Sequence, residues 1–256
     1  MVRVPVVRRG PLVGLAGQIA LLAVLSLTMG LGVEGWLVGL AYGLITCLAL
    51  STGMGRIGAT GLGRADWVTL TRATLVGGVT ALVAHSFREP APATLAEPEI
   101  AAAPVAGLVA ITSVALVLDF VDGQVARQTG TASRLGARFD MEVDAFLILV
   151  LSVYVAASLG PWVLAIGAMR YAYVAAGWVL PWLRRTVPPR YWRKVVAATQ
   201  GVTLTAVSSG LFPTPVSIAA VAIALALLVE SFGRDIIWQW QQRQAATAAV
   251  RATRGS

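Results

Sequence analysis

Cysteine and histidine are nearly missing from this chain: Cys47 and His85 are the single examples of each in 256 residues. A lone cysteine excludes an intrachain disulfide and a cysteine-based metal site, and reads as a buried thiol. His85 falls at a predicted outer helix end, away from the acidic residues described below, and carries no expected role. Charge is scarce too, at 12% of residues against 57% hydrophobic, and mean hydropathy is +0.76. No ordinary soluble domain approaches that balance, so the chain reads as an integral membrane protein. An internal repeat, a soluble domain and a cleavable signal-peptide shape are also lacking; the first apolar run is long and leads straight into the second.

What is present is a series of eight apolar runs of spanning length, near 11–30, 35–53, 68–87, 102–124, 138–159, 161–183, 195–212 and 215–233. Gly55 to Ala65 reads as a linker, which divides the chain into a two-helix extension (1–64), a six-helix core (65–233) and a basic tail (234–256) that continues the last helix along the membrane surface. Residues 88–104, rich in Pro, Ala and Glu, read as an extracytoplasmic loop. The predicted fold class is all-α, a polytopic membrane helix bundle.

Positive charge is one-sided. Arg3, Arg8 and Arg9, Arg56 and Arg64, Arg127 and Arg134, the run Arg184, Arg185, Arg190, Arg193 and Lys194, and Arg234 to Arg254 all fall on alternate connections, with Arg88 the exception beside Glu89, Glu97 and Glu99. The positive-inside rule places both termini and the 127–134 connection in the cytoplasm. The net charge of +8 is therefore an orientation signal, suited to anionic lipid and anionic substrates and not a mark of nucleic-acid binding. Trp67, Trp162, Trp182 and Trp192 lie near span ends and form an interfacial belt.

Four carboxylates break the apolar pattern: Asp119 and Asp122, three apart, and Asp140 and Asp144, four apart. On helices each pair shares a face. Gly130, Thr131 and Ser133 supply the only turn-like stretch between them, so the segment predicts an antiparallel helical hairpin. Counting outward from Thr131 brings Asp122 level with Asp140 and Asp119 level with Asp144, so the four converge at one depth. An aspartate near a bilayer centre costs about 2.5–3.5 kcal/mol, so four bare ones would cost roughly 10–14 kcal/mol, less near the surface. Bound cations compensate. A plain ion-pair network with Arg127, Arg134 and Arg138 is the simpler alternative, but leaves Gly123, Ala126 and Gly136 unexplained.

With no His or Cys nearby, the donor set favours a hard ion, Mg²⁺ or Mn²⁺. Two ions bridged by shared carboxylates would clamp a pyrophosphate for in-line displacement at phosphorus. Gly123 and Gly136 let a backbone approach a ligand, Ala126 keeps the same stripe shallow, and Arg127 offers a fork to phosphate. Asp144, the outermost member, is the candidate general base.

The pattern Asp119-x2-Asp122-Gly123-x2-Ala126-Arg127-x8-Gly136-x3-Asp140-x3-Asp144 resembles, at all eight specified positions, the signature of the CDP-alcohol phosphotransferase family. The resemblance implies a six-helix membrane enzyme, usually dimeric, that moves a phospho-alcohol group from a CDP-linked donor to a hydroxyl and releases CMP. It implies that Asp119, Asp122 and Asp140 bind the metals, that Asp144 is the base and also touches metal, and that Gly123, Ala126, Arg127 and Gly136 surround the CDP group. Weaker likeness extends it. Thr69 and Arg72 agree with the family's Pro-Asn-x-Leu-Thr-x-x-Arg entry to its first core helix, while Ala65 and Asp66 depart. Lys194 with Thr199 and Gln200 is similar to a pattern of bacterial phosphatidylglycerophosphate synthases, though Val196 and Ala197 depart; Arg170 matches an Arg of the same helix there, with Tyr171 where those enzymes carry Glu.

These readings combine into one expectation: a bacterial inner-membrane enzyme with a cytoplasmic active site, transferring the phosphatidyl group of CDP-diacylglycerol to a small polyol. Arg138, Arg170, Arg193 and Lys194 favour a phosphorylated acceptor, glycerol 3-phosphate ahead of inositol phosphate, with serine, inositol or a second phospholipid as other acceptors. From a different class, a cation-coupled transporter would also carry intramembrane carboxylates. The carboxylates' place beside a cytoplasmic turn, and the absence of paired broken helices, argue against it.

Overall fold

In a computed structural model the described residues are 9–57, 63–88, 98–129, 134–185, 187–188 and 190–254, with the side chains of 9, 64–65, 98–102, 121–129, 134 and 246–254 outside the description. Among these residues there are eight α-helices and no strand: α1 Arg9–Met29, α2 Val33–Ile57, α3 Arg64–Ser86, α4 Pro98–Thr129, α5 Arg134–Leu159, α6 Leu164–Val179, α7 Tyr191–Ser208 and α8 Thr214–Arg254. Short 3₁₀ turns at Pro161–Val163 and Pro181–Arg184 flank α6. The all-helical class is as expected. Seven of the helices, all but α7, are long and apolar enough to cross a membrane, which makes this a multi-pass membrane protein.

Two boundaries differ from the sequence reading. The apolar run at 195–212 lies mostly in α7, which at 18 residues takes in Arg193 and Lys194 and carries Thr199, Gln200, Thr203, Thr205 and Ser208, and so is less apolar than the other seven. Gln200, Thr205 and Ser208 are buried, and their donors find backbone partners: Gln200 Nε2 donates to the Ala224 carbonyl at 2.8 Å and Thr205 to that of Gly201 at 2.7 Å. The segment 88–104, read as loop, is partly helical. Pro98 opens α4 at its first turn, where a missing N–H costs nothing, and the following alanines carry the helix through Pro104. Residues 89–97 lie outside the described residues.

The chain forms two compact units, Met1–Tyr154 and Val155–Ser256. In the first, α3 is the centre: 67% of its span is buried, against 17–39% for the other spans, and it packs on α1, α2 and α4. Gly30, at φ 68°, ends α1 in the left-handed conformation, its N–H donating to the Ser26 carbonyl at 3.1 Å, and lets α2 start within three residues. Helix α2 then presents Gly35, Gly39 and Gly43 at four-residue spacing. A Cβ at Gly35 would lie 2.9 Å from the Ala81 carbonyl oxygen, and one at Gly39 2.6 Å from Leu22 Cδ2 and 3.1 Å from Ala81 Cβ. Small residues thus let α2 approach both α1 and α3, the means by which helices associate in lipid without a hydrophobic driving force. So α1 and α2 lie directly on α3, and of the Gly55–Ala65 stretch between them residues 58–62 lie outside the described residues.

His85 closes one end of this unit. It is buried, and its Nδ1 accepts the Gly32 N–H at 3.3 Å, which pins the α1–α2 turn to α3. Arg88, the exception to the alternation of arginines along the chain, pairs with Glu34 of α2 at 3.1 Å. Cys47 is half-buried on α2 and not fully buried as expected. In the second unit, buried Gln239 of α8 donates from Nε2 to the carbonyls of Leu183 (3.0 Å) and Arg185 (2.7 Å) and accepts from Tyr173 Oη (2.7 Å). The expected tail from residue 234 is the continuation of α8, helical to Arg254.

Candidate active site

Helix α3 carries a buried stripe of Thr69, Ala73, Val76, Val79, Thr80 and Val83, and Arg72 stands on the same face with a side chain only 1% exposed. An arginine there demands partners, because an unpaired buried charge costs several kcal/mol. It has them on two other helices. Arg72 Nη1 pairs with Asp119 Oδ1 of α4 at 2.9 Å and with Asp140 Oδ1 of α5, while Nη2 pairs with Asp144 Oδ1, also of α5. Nε donates to the Ala115 carbonyl at 3.3 Å, one turn before Asp119.

The three carboxylates converge as the spacing predicted. Asp119, Asp140 and Asp144 each offer an oxygen, and these oxygens lie within 4.8 Å of one another. The side chains are 45%, 34% and 39% exposed, so the cluster opens outward while the guanidinium lies behind it in the bundle. Asp119 is the next-to-last residue of the span Ala103–Phe120, and Asp140 is the sixth of the span Leu135–Leu159. At a rise of about 1.5 Å per residue both lie within ~10 Å of a span end, near the membrane surface.

Helix α5 is held in register by side chains on its inner face. Leu135 and Phe139 pack on Leu50, Met54 and Leu70, Phe146 stacks on Tyr42 at 5.0 Å between ring centroids, and between them Asp140 and Asp144 meet Arg72. The entry to α3 is fixed by a residue that departs from the family pattern: Asp66 Oδ2 accepts the Gly63 N–H at 2.9 Å, which caps the helix and sets the height of Arg72 two turns on.

The donor set fits a hard divalent cation. Octahedral ligands at about 2.1 Å place their oxygens roughly 3–4 Å apart, so three carboxylates gathered within 4.8 Å need only a small closure to chelate one ion. No nitrogen or sulfur ligand stands among them, so a transition-metal site selected by softness is not indicated.

The other expected residues fall in three groups. Asp122, Gly123, Ala126 and Arg127 lie on the last turns of α4, and their side chains are outside the described residues, as is the turn at 130–133. Gly136 and Arg138 are on the first turns of α5, where Arg138 is exposed. Arg170 on α6, and Arg193 and Lys194 on α7, belong to the second unit. There Arg193 is already engaged, with Nη1 on Asp235 Oδ2 at 3.0 Å and Nη2 on the Pro188 carbonyl at 2.8 Å. Among the described residues the cation paired with these carboxylates is Arg72; of the arginines weighed as an ion-pair alternative from the sequence, Arg138 is exposed and the side chains of Arg127 and Arg134 lie outside the described residues. Arg72 was visible in the sequence as an arginine inside the apolar run 68–87, and that was the available signal for its role.

A protein-family model described as CDP-alcohol phosphatidyltransferase matches residues 62–232, which takes in α3 to α7 and a little under half of α8 and leaves α1 and α2 outside. Neither a curated protein nor a solved structure matches the chain.

Proposed function

This chain belongs to the CDP-alcohol phosphatidyltransferase family, and on that premise we propose that it moves the phosphatidyl group of CDP-diacylglycerol to the hydroxyl of a small phosphorylated polyol, releasing CMP. The observation that carries this reading is the convergence of Asp119, Asp140 and Asp144 from two helices, with Asp119 and Asp140 close to the ends of two apolar stretches of spanning length. A lipid donor with a polar diphosphate needs its headgroup handled at that depth while its acyl chains stay in the bilayer.

Asp119, Asp122, Asp140 and Asp144 would hold two divalent cations, Mg²⁺ by preference for an all-oxygen set, whose positive charge stabilises the charge developing on the diphosphate. The chain's own residues do the rest. Arg127, with Gly123, Ala126 and Gly136, binds the CDP moiety. Asp144 takes the proton from the acceptor hydroxyl as its oxygen forms a bond to the phosphorus bearing diacylglycerol; the bond from that phosphorus to the bridging oxygen breaks, and CMP leaves with the electron pair. Arg138, Arg170 and Lys194 are the groups to attract a phosphorylated acceptor, glycerol 3-phosphate ahead of inositol phosphate. The one-sided arginines support an inner-membrane enzyme with its site in the cytoplasm, and the family resemblance is the ground for taking it as a homodimer.

A cation-coupled transporter is not proposed, since the family is one of transferases and accounts for the same carboxylates. The test is CMP release by purified protein in liposomes with CDP-diacylglycerol, Mg²⁺ and acceptors supplied singly. Release with a phosphorylated polyol and none with serine or inositol is the expected result; release with an unphosphorylated acceptor alone would overturn the acceptor assignment.

A further inference from the structure

The described side chains of the site are acidic, yet the residue that touches all three of them is a cation. Arg72 reaches three carboxylates on two helices from a third, and its Nε is tied to the Ala115 carbonyl, so the guanidinium is anchored at both of its edges. Its side chain is 1% exposed against 34–45% for its partners, which puts it behind them on the side away from incoming solutes. A guanidinium so placed has two consequences. It gathers carboxylates that would otherwise repel one another, and it sets a fixed positive charge next to any cation those carboxylates accept.

We propose that Arg72 is a positioning residue that holds the carboxylates gathered when no cation is bound, and that its charge weakens cation binding so that the ion is retained firmly only with an anionic diphosphate. This rests on the phosphatidyl-transfer reading for the identity of the anion. The described groups sum to three negative charges and one positive, a net of −2, which one divalent cation neutralises; without Arg72 the net would be −3. A cation bound by oxygens that also touch the guanidinium lies about 5 Å from it, and at that distance even water-like screening leaves a repulsion worth roughly tenfold in affinity. With the cation in place the site carries no excess negative charge among these groups, so a diphosphate meets no repulsion from them.

The experiment is Mn²⁺ binding, read by the electron paramagnetic resonance of free Mn²⁺, on the purified full-length protein with no substrate. Arg72→Gln is expected to bind Mn²⁺ at least tenfold more tightly than the wild type, and to melt at a lower temperature without the ion but not with it. A residue that merely supports the fold would leave Mn²⁺ affinity unchanged or lower it, and either result in folded Arg72→Gln protein would overturn the proposal. Should that variant not fold, Asp144→Asn and Asp144→Asn/Arg72→Gln carry the same comparison with the charge more nearly balanced: the double variant is expected to bind at least tenfold more tightly than the single, and equal or weaker binding overturns the proposal. Because no turnover is involved, the result stands whether or not CMP is released from CDP-diacylglycerol.

Discussion

Replacing Asp144 by Asn separates chemistry from structure. In the described cluster Asp144 has one attraction, to Arg72, and two repulsions, from Asp119 and Asp140, with the carboxylate oxygens within 4.8 Å. Each repulsion is about 1 kcal/mol with water-like screening and about 3.5 kcal/mol at an effective dielectric of 20; for side chains 34–45% exposed the lower figure is the better guide. Two repulsions therefore vanish with one attraction, and the net charge moves from −2 to −1, so folding stability is expected to hold or rise. Activity is expected to behave otherwise. A general base contributes about 10²–10⁴ in rate, or roughly 3–5 kcal/mol of barrier, so CMP release at saturating Mg²⁺ should fall by that factor. The assay pairs CMP release over a Mg²⁺ titration with thermal unfolding in the same detergent. A kcat within tenfold of wild type at saturating Mg²⁺ would refute Asp144 as the base, and a lowered melting point would refute the charge accounting.

Asp140→Asn should behave differently, with the Mg²⁺ concentration for half-maximal activity raised about tenfold or more and activity recovering at high Mg²⁺; failure to recover would argue against a simple ligand role. Chelation should abolish CMP release and Mg²⁺ or Mn²⁺ should restore it, as an all-oxygen donor set requires. Gly35→Ala places a Cβ 2.9 Å from the Ala81 carbonyl oxygen, a backbone atom that cannot swing aside; thermal unfolding should show a loss of about 1–3 kcal/mol despite the better helix propensity of alanine. Gln239→Leu removes the donors to the Leu183 and Arg185 carbonyls, of which Leu183 keeps Tyr173 Oη at 3.4 Å, and at about 0.5–1.5 kcal/mol per lost hydrogen bond should cost roughly 1–3 kcal/mol, with faster hydrogen exchange around 181–185 as the local readout.

The pattern of apolar runs was enough to specify α1 to α6 and α8 as spans, because in lipid every backbone group must be satisfied within its own segment, which makes a helix the only local solution for such a run. It took 195–212 as a span as well, where α7 is less apolar than the other helices because it takes in Arg193 and Lys194 and carries buried polar side chains that bond backbone within the unit. It also missed the start of α4, since Pro and Glu near a helix N-terminus resemble a loop composition.

For the site, sequence alone determined which carboxylates share a face and that two helices bring them to one depth, because helical spacing is a local property that fixes the direction of Asp119, Asp140 and Asp144 on their own segments. Family membership followed from the same linear motif. What only the tertiary structure decided was the counter-charge. Arg72 lies 47 residues from Asp119 and 72 from Asp144 along the chain, counted from the sequence positions, and Arg127, Arg134 and Arg138 were nearer candidates in one dimension. Among the described arginines burial decides: α3 is the helix most enclosed by its neighbours, so a charge on its inner face has no water to turn to, whereas Arg138 on α5 is exposed.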